Sequence, residues 1–437
     1  MIYRFSLMAS LLLTACLSSG PSGGSSPEGV TAYTGASIFN GETFQKQTLC
    51  VREKTIVDCP RQTADTVIDL SGLFITSPFG DAHTHHFDGP YTFDWHTSLG
   101  LESGAFYAMT MTAPTRGILQ IRDRFTGPDR VDVATSLGGI TGADSHPAEV
   151  YEALALGIRS YEEQVSRADE IQKSRLQAGN AYFVVQSEAD VRETLDQILI
   201  HDPDHIKVFL RKSDRHAEGY GKWGPGGGIS PELLPLIAEL SKEAGKRVAV
   251  AASNLSDFRA AVNAGAGILT HLPCYQDSAS DPDSPYYDVD VAEDCLISEE
   301  DAREAANIGM VSTIILTEWA KDRPQDLVDW ERQNLEKLIK AGAPLAIATN
   351  AYGSTITPGL IAAFQKELMP APDLLRLATM ETPRVIFPKR GVGCLNSGCE
   401  ASFIAFEANP LQDPTAISRI QYRVKDGEVM EFPESRS

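Results

Sequence analysis

Short apolar runs alternate with amphipathic segments along most of the chain, and this alternation restricts the fold more than any other feature. The runs are rich in valine and isoleucine, as in residues 205–211, 247–253 and 310–316. Segments with helical periodicity separate them, for example residues 188–200 and 329–342. Strands that alternate with helices pair in parallel, because each helix returns the chain to the same edge of the sheet. The pattern predicts an α/β fold.

The number of apolar runs favours a barrel. Four further runs occupy residues 74–79, 181–187, 267–273 and 344–350, and an eighth lies near residues 131–142. Eight strand–helix units fit a (β/α)8 TIM-like barrel, whose chemistry lies at the carboxyl ends of the strands. A doubly wound open sheet is the alternative, but the chain shows no glycine-rich phosphate loop to support it.

The two ends of the folded body have a different pattern. Residues 30–72 and 390–437 contain short alternating strands separated by glycine and asparagine turns, which is typical of antiparallel sheets. We expect these ends to pair into one small β-sandwich domain. The barrel then occupies residues 73–389.

The amino-terminal segment is typical of an export signal. Residues 1–15 contain Arg4 and a nine-residue apolar core, too short for a permanent membrane span. They end before Cys16 in a sequence that resembles a bacterial lipobox, which implies lipidation of Cys16. Leu17 follows it, which favours the outer membrane, facing the periplasm. Residues 16–29 are a flexible tether. An ordinary signal peptide with an unmodified cysteine is the alternative.

The charge balance excludes some partners. The chain has 38 Lys and Arg against 59 Asp and Glu, a net charge of −21. Such an acidic protein repels nucleic acid and anionic lipid headgroups. We therefore expect a small-molecule partner and membrane contact only through the lipid anchor. The oligomeric state stays open.

Six cysteines remain after Cys16, and they fall into neighbouring pairs. An exported protein meets an oxidising compartment, in which disulfides persist. Fifteen pairings are possible, and a cysteine metal cluster is an alternative, although no C-x-x-C spacing occurs. We expect the local pairs Cys50–Cys59, Cys274–Cys295 and Cys394–Cys399.

Residues 80–89 (GDAHTHHFDG) offer a metal site. His83 and His85 follow the first expected barrel strand, and side chains alternate with period two, so both imidazoles point to one side. Neutral imidazoles are good ligands for zinc. Asp81 could orient a ligand. His86 points to the other face and is expected to be a solvated loop residue.

Two further candidates lie in later strands. Lys207 sits inside an apolar run, where an unpaired charge is costly. A salt bridge or a strand-end position is one explanation, and a lysine carbamylated by carbon dioxide is the other. His271 ends another strand and is either a core histidine or a ligand.

Together these residues resemble the amidohydrolase superfamily of metal-dependent hydrolases. The resemblance implies a (β/α)8 barrel with a small β-sandwich, one or two divalent metals, and water attack on amide or ester carbon. It covers nearly the whole chain after the tether and is carried by residues 80–85, Lys207, His271, residues 341–350 and the tail at 407–431.

The chain departs from the family pattern twice. Ala251 stands where a metal-binding histidine is expected, and Asn350 stands at the position of a catalytic aspartate. We therefore expect one divalent ion, zinc, bound by His83, His85 and His271, with or without carbamylated Lys207. An amide oxygen has essentially no basicity at neutral pH, so Asn350 cannot be the general base.

Other residues could replace that base. Glu318, just beyond an expected strand, is the speculative candidate, and Asp214 and His216 are also within reach. Each has the alternative of being a solvated loop residue. Residues 221–228 form a glycine-rich loop, in which Trp223 could touch a ligand or pack on the rim.

Three functions remain open at this point. The first is a hydrolase with one metal that cleaves carbon–nitrogen or ester bonds of a small exported or envelope-derived compound. The second is a degenerate barrel that binds a ligand without turnover. The third is a metal-binding or structural lipoprotein. The substrate itself is not identified by the sequence.

Overall fold

The computed structural model describes residues 29–60, 64–218, 227–275 and 292–431. The expected signal peptide, Cys16 and Trp223 lie outside these residues, so statements about them stay predictions. Within the described ranges, no helix combines the length and apolarity needed to cross a membrane.

Most strands are short and largely buried. In chain order they are β1 Val30–Thr34, β2 Ser37–Phe39, β3 Phe44–Lys46, β4 Leu49–Arg52, β5 Thr55–Val57, β6 Thr66–Asp69, β7 Phe74–Thr76, β8 Phe79–Thr84, β9 Ala105–Thr110, β10 Asp132–Thr135, β11 Gly139–Thr141, β12 Tyr182–Val184, β13 His205–Arg211, β14 Gly227–Gly228, β15 Arg247–Ala251, β16 Ile268–Leu269, β17 Val311–Ile315, β18 Leu345–Ala348, β19 Phe403–Phe406, β20 Ile420–Lys425 and β21 Glu428–Val429.

The α-helices follow the strands of the central part of the chain. They are α1 Phe93–Ser103, α2 Thr115–Ile118, α3 Ala148–Ala155, α4 Tyr161–Ser166, α5 Ala168–Lys173, α6 Glu188–Leu199, α7 Leu234–Glu243, α8 Leu255–Asn263, α9 Ala292–Cys295, α10 Glu299–Asn307, α11 Leu316–Trp319, α12 Gln325–Ala341, α13 Ile356–Gln365, α14 Ala371–Arg376 and α15 Thr382–Ile386.

Local sequence signals set several helix ends. The side chains of Ser187, Asn254 and Ser298 accept the backbone N–H three residues later at the starts of α6, α8 and α10, which satisfies an otherwise unpaired donor. Gly342 ends α12 in the left-handed region at φ 73°, which glycine adopts at little cost.

The central strands form two parallel sheets. One has the order β10-β9-β8, and the other has the order β12-β11-β13-β15-β16-β17-β18, with β14 antiparallel to β13. Backbone hydrogen bonds join β18 and β8 at their carboxyl ends, from Asn350 N to His83 O and from His85 N to Ala351 O. Asp204 N donates to Thr135 O and so links the start of β13 to β10. This mixed α/β arrangement is consistent with the expected barrel.

The structure corrects the expected strand inventory. The run at 74–79 does not form one barrel strand, because Phe74–Thr76 pairs with β2 and β19 and the parallel strand starts at Phe79. Phe79–Thr84 therefore contains His83, which was expected to follow the strand. Ala105–Thr110 pairs with β8 and was not predicted. The run at 181–187 gives only Tyr182–Val184, at the edge of its sheet.

The two ends of the chain meet in the remaining sheets. These sheets have the orders β5-β4-β1-β6 and β21-β20-β19-β7-β2-β3. Both contribute to one apolar cluster, in which the rings of Tyr33 and Phe403 lie 4.9 Å apart. Residues from near both chain ends thus share a core. The sheets are mixed rather than antiparallel, because β1 pairs parallel with β6 and β2 pairs parallel with β7.

The structure contains the three locally paired disulfide bonds. They join Cys50 to Cys59, Cys274 to Cys295 and Cys394 to Cys399. The first lies beside β4 and β5, the second joins Cys274 to the end of α9, and the third lies in the segment before β19.

Candidate active site

Three histidines lie close together at the carboxyl ends of the parallel strands. His83 belongs to β8, His85 follows that strand, and His271 follows β16. The ring centroids of His83 and His85 are 5.2 Å apart, and those of His83 and His271 are 6.3 Å apart. Side-chain alternation places His83 and His85 on one side of the strand, as the H-x-H spacing predicts.

Lys207 reaches the same cluster from β13. The residue is 1% exposed, which rules out a lysine head in solvent. Its Nζ donates a hydrogen bond to Oγ1 of Thr270 at 2.9 Å and lies 4.9 Å from the centre of the Phe209 ring. Because Thr270 directly precedes His271, this bond holds the lysine amine beside the histidines.

Burial disfavours the charged forms of these groups. It lowers the pKa of His83 and of His271 well below the ordinary value, with a further contribution from the charge of Lys207. The same causes lower the pKa of His85 to about 4. Burial alone lowers the pKa of Lys207 well below its ordinary value. Neutral imidazoles bind metals, and a neutral amine is the form that can react with carbon dioxide.

Asn350 lies between two side chains of the cluster. Its Oδ1 is 3.1 Å from Nε2 of His85, and its Nδ2 donates to the hydroxyl of Tyr275 at 3.0 Å. Its backbone has φ 48°, a left-handed conformation that asparagine tolerates better than most residues. The amide therefore positions His85 and Tyr275, in agreement with the expectation that Asn350 is not a base.

Ala251 ends β15 and supplies no ligand to the cluster. It is buried, and the residues that follow it hold the loop instead. Ser253 N donates to Asp257, and Asn254 Nδ2 donates to Asp214. No imidazole is present where the family resemblance implies one.

Asp81 has a different role from the expected one. Its carboxylate accepts hydrogen bonds from Thr349 N at 3.0 Å and Thr349 Oγ1 at 2.7 Å, and also from His83 N at 3.3 Å. Burial raises the pKa of Asp81 to about 6 against the lowering effect of these bonds. Asp81 therefore joins β8 to β18 by binding backbone groups rather than a histidine ring.

His86 is buried, so the expectation of a solvated loop residue is wrong. Its ring stacks on that of His96 with centroids 4.4 Å apart, and its Nε2 accepts the backbone N–H of Gly353 at 2.8 Å. The ring ties the loop after β8 to α1 and to the loop after β18. This packing explains why His86 is not part of the histidine cluster.

The candidate replacement bases are paired elsewhere. Glu318 is buried in α11, and its Oε1 lies 2.6 Å from Nζ of Lys321 in an ion pair. Asp214 is exposed and accepts from Asn254. His216 lies 3.4 Å from the carbonyl of Gly227 through Nδ1.

Sequence reasoning did not single out Tyr275, His146 or Glu149. The Tyr275 ring stacks on His271 with centroids 4.1 Å apart. Nδ1 of His146 lies 2.6 Å from Oε1 of Glu149 in the segment after β11. An H-x-x-E spacing directly beyond a strand end was the available signal for the second pair.

The described residues supply two imidazoles at a spacing that suits a zinc ion, but not a complete set of ligands. His83 donates from Nδ1 to Thr270 O at 3.0 Å in the tautomer that leaves Nε2 with a lone pair. Two imidazoles on a tetrahedral zinc at about 2.1 Å have centroids about 5 Å apart, which matches the His83–His85 spacing. Yet no group of three or more His, Cys, Asp or Glu in the described residues could hold a metal. A carboxylate on Lys207 would add the missing ligand.

Comparisons with known proteins bear on this arrangement. Ochratoxinase from Aspergillus niger is 28% identical over 195 residues, which are 42% of this chain and 37% of that enzyme. The match therefore spans little more than a third of that relative's length.

Solved structures show the fold over nearly the whole chain. The A. niger ochratoxinase structure matches with a TM-score of 0.69 at 17% identity, over 93% of this chain and 96% of that one. The structure of molinate hydrolase matches with a TM-score of 0.67 at 16% identity, over 94% of this chain and 99% of that one. The structure of a Xaa-Pro dipeptidase with bound methionine matches with a TM-score of 0.65 at 16% identity, over 92% of this chain and 100% of that one. At these identities the likeness concerns the fold alone.

A model of the amidohydrolase family also matches residues 74–430. This range contains every strand of the two central sheets and the histidine cluster, and the expected family is confirmed. The chain belongs to the amidohydrolase family.

Proposed function

We propose that the protein is a hydrolase of carbon–nitrogen or ester bonds that uses one divalent ion, zinc. His83, His85 and carbamylated Lys207 would hold the ion, with His271 beside them. The observation that carries the proposal is the burial of Lys207, whose Nζ bonds Thr270 at 2.9 Å, next to an H-x-H pair whose rings are 5.2 Å apart. Membership of the amidohydrolase family supports it, because that family usually binds metal.

The side chains of the cluster have separate tasks in this proposal. The ion would supply polarisation of a carbonyl group and acidification of water. Thr270 O fixes the ring of His83. Asn350 Oδ1 accepts from Nε2 of His85, so His85 would have to adopt its other tautomer to bind an ion through that nitrogen. Burial raises the pKa of Tyr275 to about 12, so its hydroxyl stays protonated. It accepts from Asn350 and can still donate to a substrate oxygen.

The closed barrel and the β-sandwich are part of the same proposal. We take the two parallel sheets as one closed (β/α)8 barrel, supported by the hydrogen bonds between β18 and β8. We take the two outer sheets as a β-sandwich, supported by their common apolar cluster. The mouth of such a barrel would lie where the histidines cluster.

The substrate class and the location are also proposed. The solved neighbours include proteins named as a Xaa-Pro dipeptidase and a molinate hydrolase, so we propose a small compound with an amide-type bond. Lipidation of Cys16 would anchor the protein in a bacterial outer membrane facing the periplasm. The net charge of −21 argues against nucleic acid as a partner.

A ligand-binding protein without turnover is the second candidate. It is favoured by Asn350, which replaces the expected base, and by the lack of a three-ligand group among the described residues. Such a protein would keep the pocket but lose the reaction.

One experiment separates the two candidates. The purified full chain is treated with chelator, reloaded with zinc in bicarbonate buffer, and assayed for amine or alcohol release from N-acyl amino acids, dipeptides and carboxylic esters. Zinc-dependent turnover that is lost in His83→Ala but kept in His201→Ala supports the hydrolase. Binding of panel compounds by calorimetry without any turnover contradicts it and supports the second candidate.

A further inference from the structure

The site needs a proton acceptor that the described candidates do not provide. The amide of Asn350 has no useful basicity, and the carboxylate of Glu318 is paired with Lys321. Water attack on a carbonyl carbon releases a proton, so hydrolysis requires another group at the mouth of the parallel strands.

His146 and Glu149 form an oriented pair at this mouth. Nδ1 of His146 lies 2.6 Å from Oε1 of Glu149. Glu149 stands in the first turn of α3 with its side chain 4% exposed, whereas the His146 side chain is 32% exposed. The buried carboxylate of Glu149 therefore binds one ring nitrogen of His146, while part of the ring is exposed to solvent.

The backbone fixes this pair in place. Thr141, the last residue of β11, donates from Oγ1 to His146 O at 2.6 Å. A Cβ on Gly142 would lie 1.7 Å from Gly228 O, so only glycine permits the close approach of the loop after β11 to β14. His146 is thus set by two strand ends rather than by a loose loop.

The ring of His146 borders the histidine cluster. Its centroid lies 5.2 Å from that of Phe209, and Nζ of Lys207 is near the same Phe209 ring. The charge of a protonated His146 also lowers the pKa of His85 and of His271. His146 is therefore within electrostatic range of the proposed ligands, with Phe209 as a shared neighbour.

Glu149 is ionised in this environment. Burial acts to raise its pKa, but the charge and hydrogen bond of His146 and the charge of Arg211 outweigh burial and hold the pKa below the ordinary value. A carboxylate can only accept, so Nδ1 of His146 carries the hydrogen. In the neutral form of the ring, the other nitrogen, Nε2, then has the lone pair that can take a proton.

We infer that His146 is the proton acceptor of the hydrolytic site and that Glu149 is its positioning residue. This inference rests on the proposed hydrolase function. As the water oxygen bonds to the carbonyl carbon, one water O–H bond breaks and its proton moves to Nε2 of His146. When the carbon–nitrogen bond breaks, the same proton passes to the leaving nitrogen, and the ring returns to its neutral form.

Steady-state kinetics of the zinc-loaded full chain on the amide panel tests the inference. His146→Ala should lower kcat by about 10²–10⁴-fold with KM changed less than about threefold. Glu149→Gln should lower kcat by a smaller factor, and added imidazole should partly restore His146→Ala. Two variants serve as matched controls and should keep the native kcat. They are His201→Ala, on a partly exposed residue at the opposite edge of the sheet, and Glu188→Gln, on an exposed residue of α6.

A second readout does not depend on turnover. Diethyl pyrocarbonate reacts with an unprotonated, accessible imidazole nitrogen, so peptide mass mapping should find His146 modified quickly in the native chain and more slowly in Glu149→Gln. An unreactive His146, or His146→Ala with kcat within about threefold of native, overturns the inference while the hydrolase function stands. A native chain that turns over no compound of the panel overturns the proposed function and this role together.

Discussion

Asn350 and His85 are joined by a hydrogen bond across the ends of β18 and β8, with Oδ1 of Asn350 lying 3.1 Å from Nε2 of His85. The same amide donates to Tyr275 at 3.0 Å. The position at which the family resemblance implies an acid–base group is therefore a neutral bridge. Proton transfer then falls to a different residue, for which the structure offers His146.

Restoring the expected family residues should make His146 less important. The double variant A251H/N350D places a carboxylate beside His85 and an imidazole at the end of β15. In this background we expect His146→Ala to cost at most about tenfold in kcat, because the new carboxylate can accept the proton. Steady-state kinetics of the native chain and of A251H/N350D, each with and without His146→Ala, measures this coupling. An equal loss of kcat from His146→Ala in both backgrounds would contradict it.

Removing the hydroxyl of Tyr275 should loosen Asn350. Tyr275→Phe leaves Nδ2 of Asn350 without its partner in a partly buried position, which costs about 1 kcal/mol of unfolding free energy. Turnover should fall as well, because His85 loses its fixed neighbour. Urea unfolding and kinetics check both effects, with Tyr91→Phe on a fully exposed tyrosine as the control. An unchanged unfolding free energy would rule out the bridge as a stabilising contact.

His205 should make the protein sensitive to acid. It is completely buried, its two ring nitrogens have no hydrogen-bond partner among the described residues, and burial lowers its pKa to about 3. The unfolded chain, with the ordinary value of 6.5, therefore binds a proton first as pH falls. The contribution of neutral His205 to the free energy of unfolding is complete above pH 6.5 and is lost as the pH falls towards 3.

Replacing this histidine tests that contribution. His205→Leu should raise the unfolding free energy at pH 7 by about 1–3 kcal/mol, since a buried polar ring without partners is removed. It should also flatten the loss of stability between pH 6.5 and 4. Chemical unfolding across this range measures both, and a variant with the native slope would contradict the assignment to His205.

The disulfide between Cys274 and Cys295 should support the site as well as the fold. It closes a span of 21 residues, for which the entropic contribution is about 3 kcal/mol, and Cys274 directly precedes Tyr275. Replacing both cysteines by serine should lower stability and turnover together. The matched variant Cys50→Ser/Cys59→Ser should lower stability only, because that bond lies in the small sheets. An equal loss of turnover in the two variants would show that the Cys274–Cys295 bond does not act on the site through Tyr275.

Features that depend on near neighbours could be predicted from the sequence. The spacing of His83 and His85 fixes their common side because strand side chains alternate, and the cysteine pairs are separated by only 5, 9 and 21 residues. The runs that became β13, β15 and β17 are rich in valine and isoleucine. The strand Ala105–Thr110 was missed because its alanine and methionine residues favour helix, although Phe106 and Tyr107 favour a strand.

Contacts between distant residues could not be derived in this way. Tyr275 and Asn350 are 75 residues apart, and their hydrogen bond exists only because β16 and β18 end at the same edge. The burial of His86 likewise depends on His96 of α1, which stacks on it. Sequence periodicity gives the side on which a residue lies but not its partner across the sheet.

Metal content of the purified full chain tests the central proposal most directly. After loading with zinc in bicarbonate and exhaustive gel filtration, inductively coupled plasma mass spectrometry should find about one zinc per chain. His83→Ala and Lys207→Met should reduce it to less than about 0.1, while His201→Ala should retain it. Less than about 0.1 zinc in the native chain, or full zinc in His83→Ala, would contradict a single-ion hydrolase at this site.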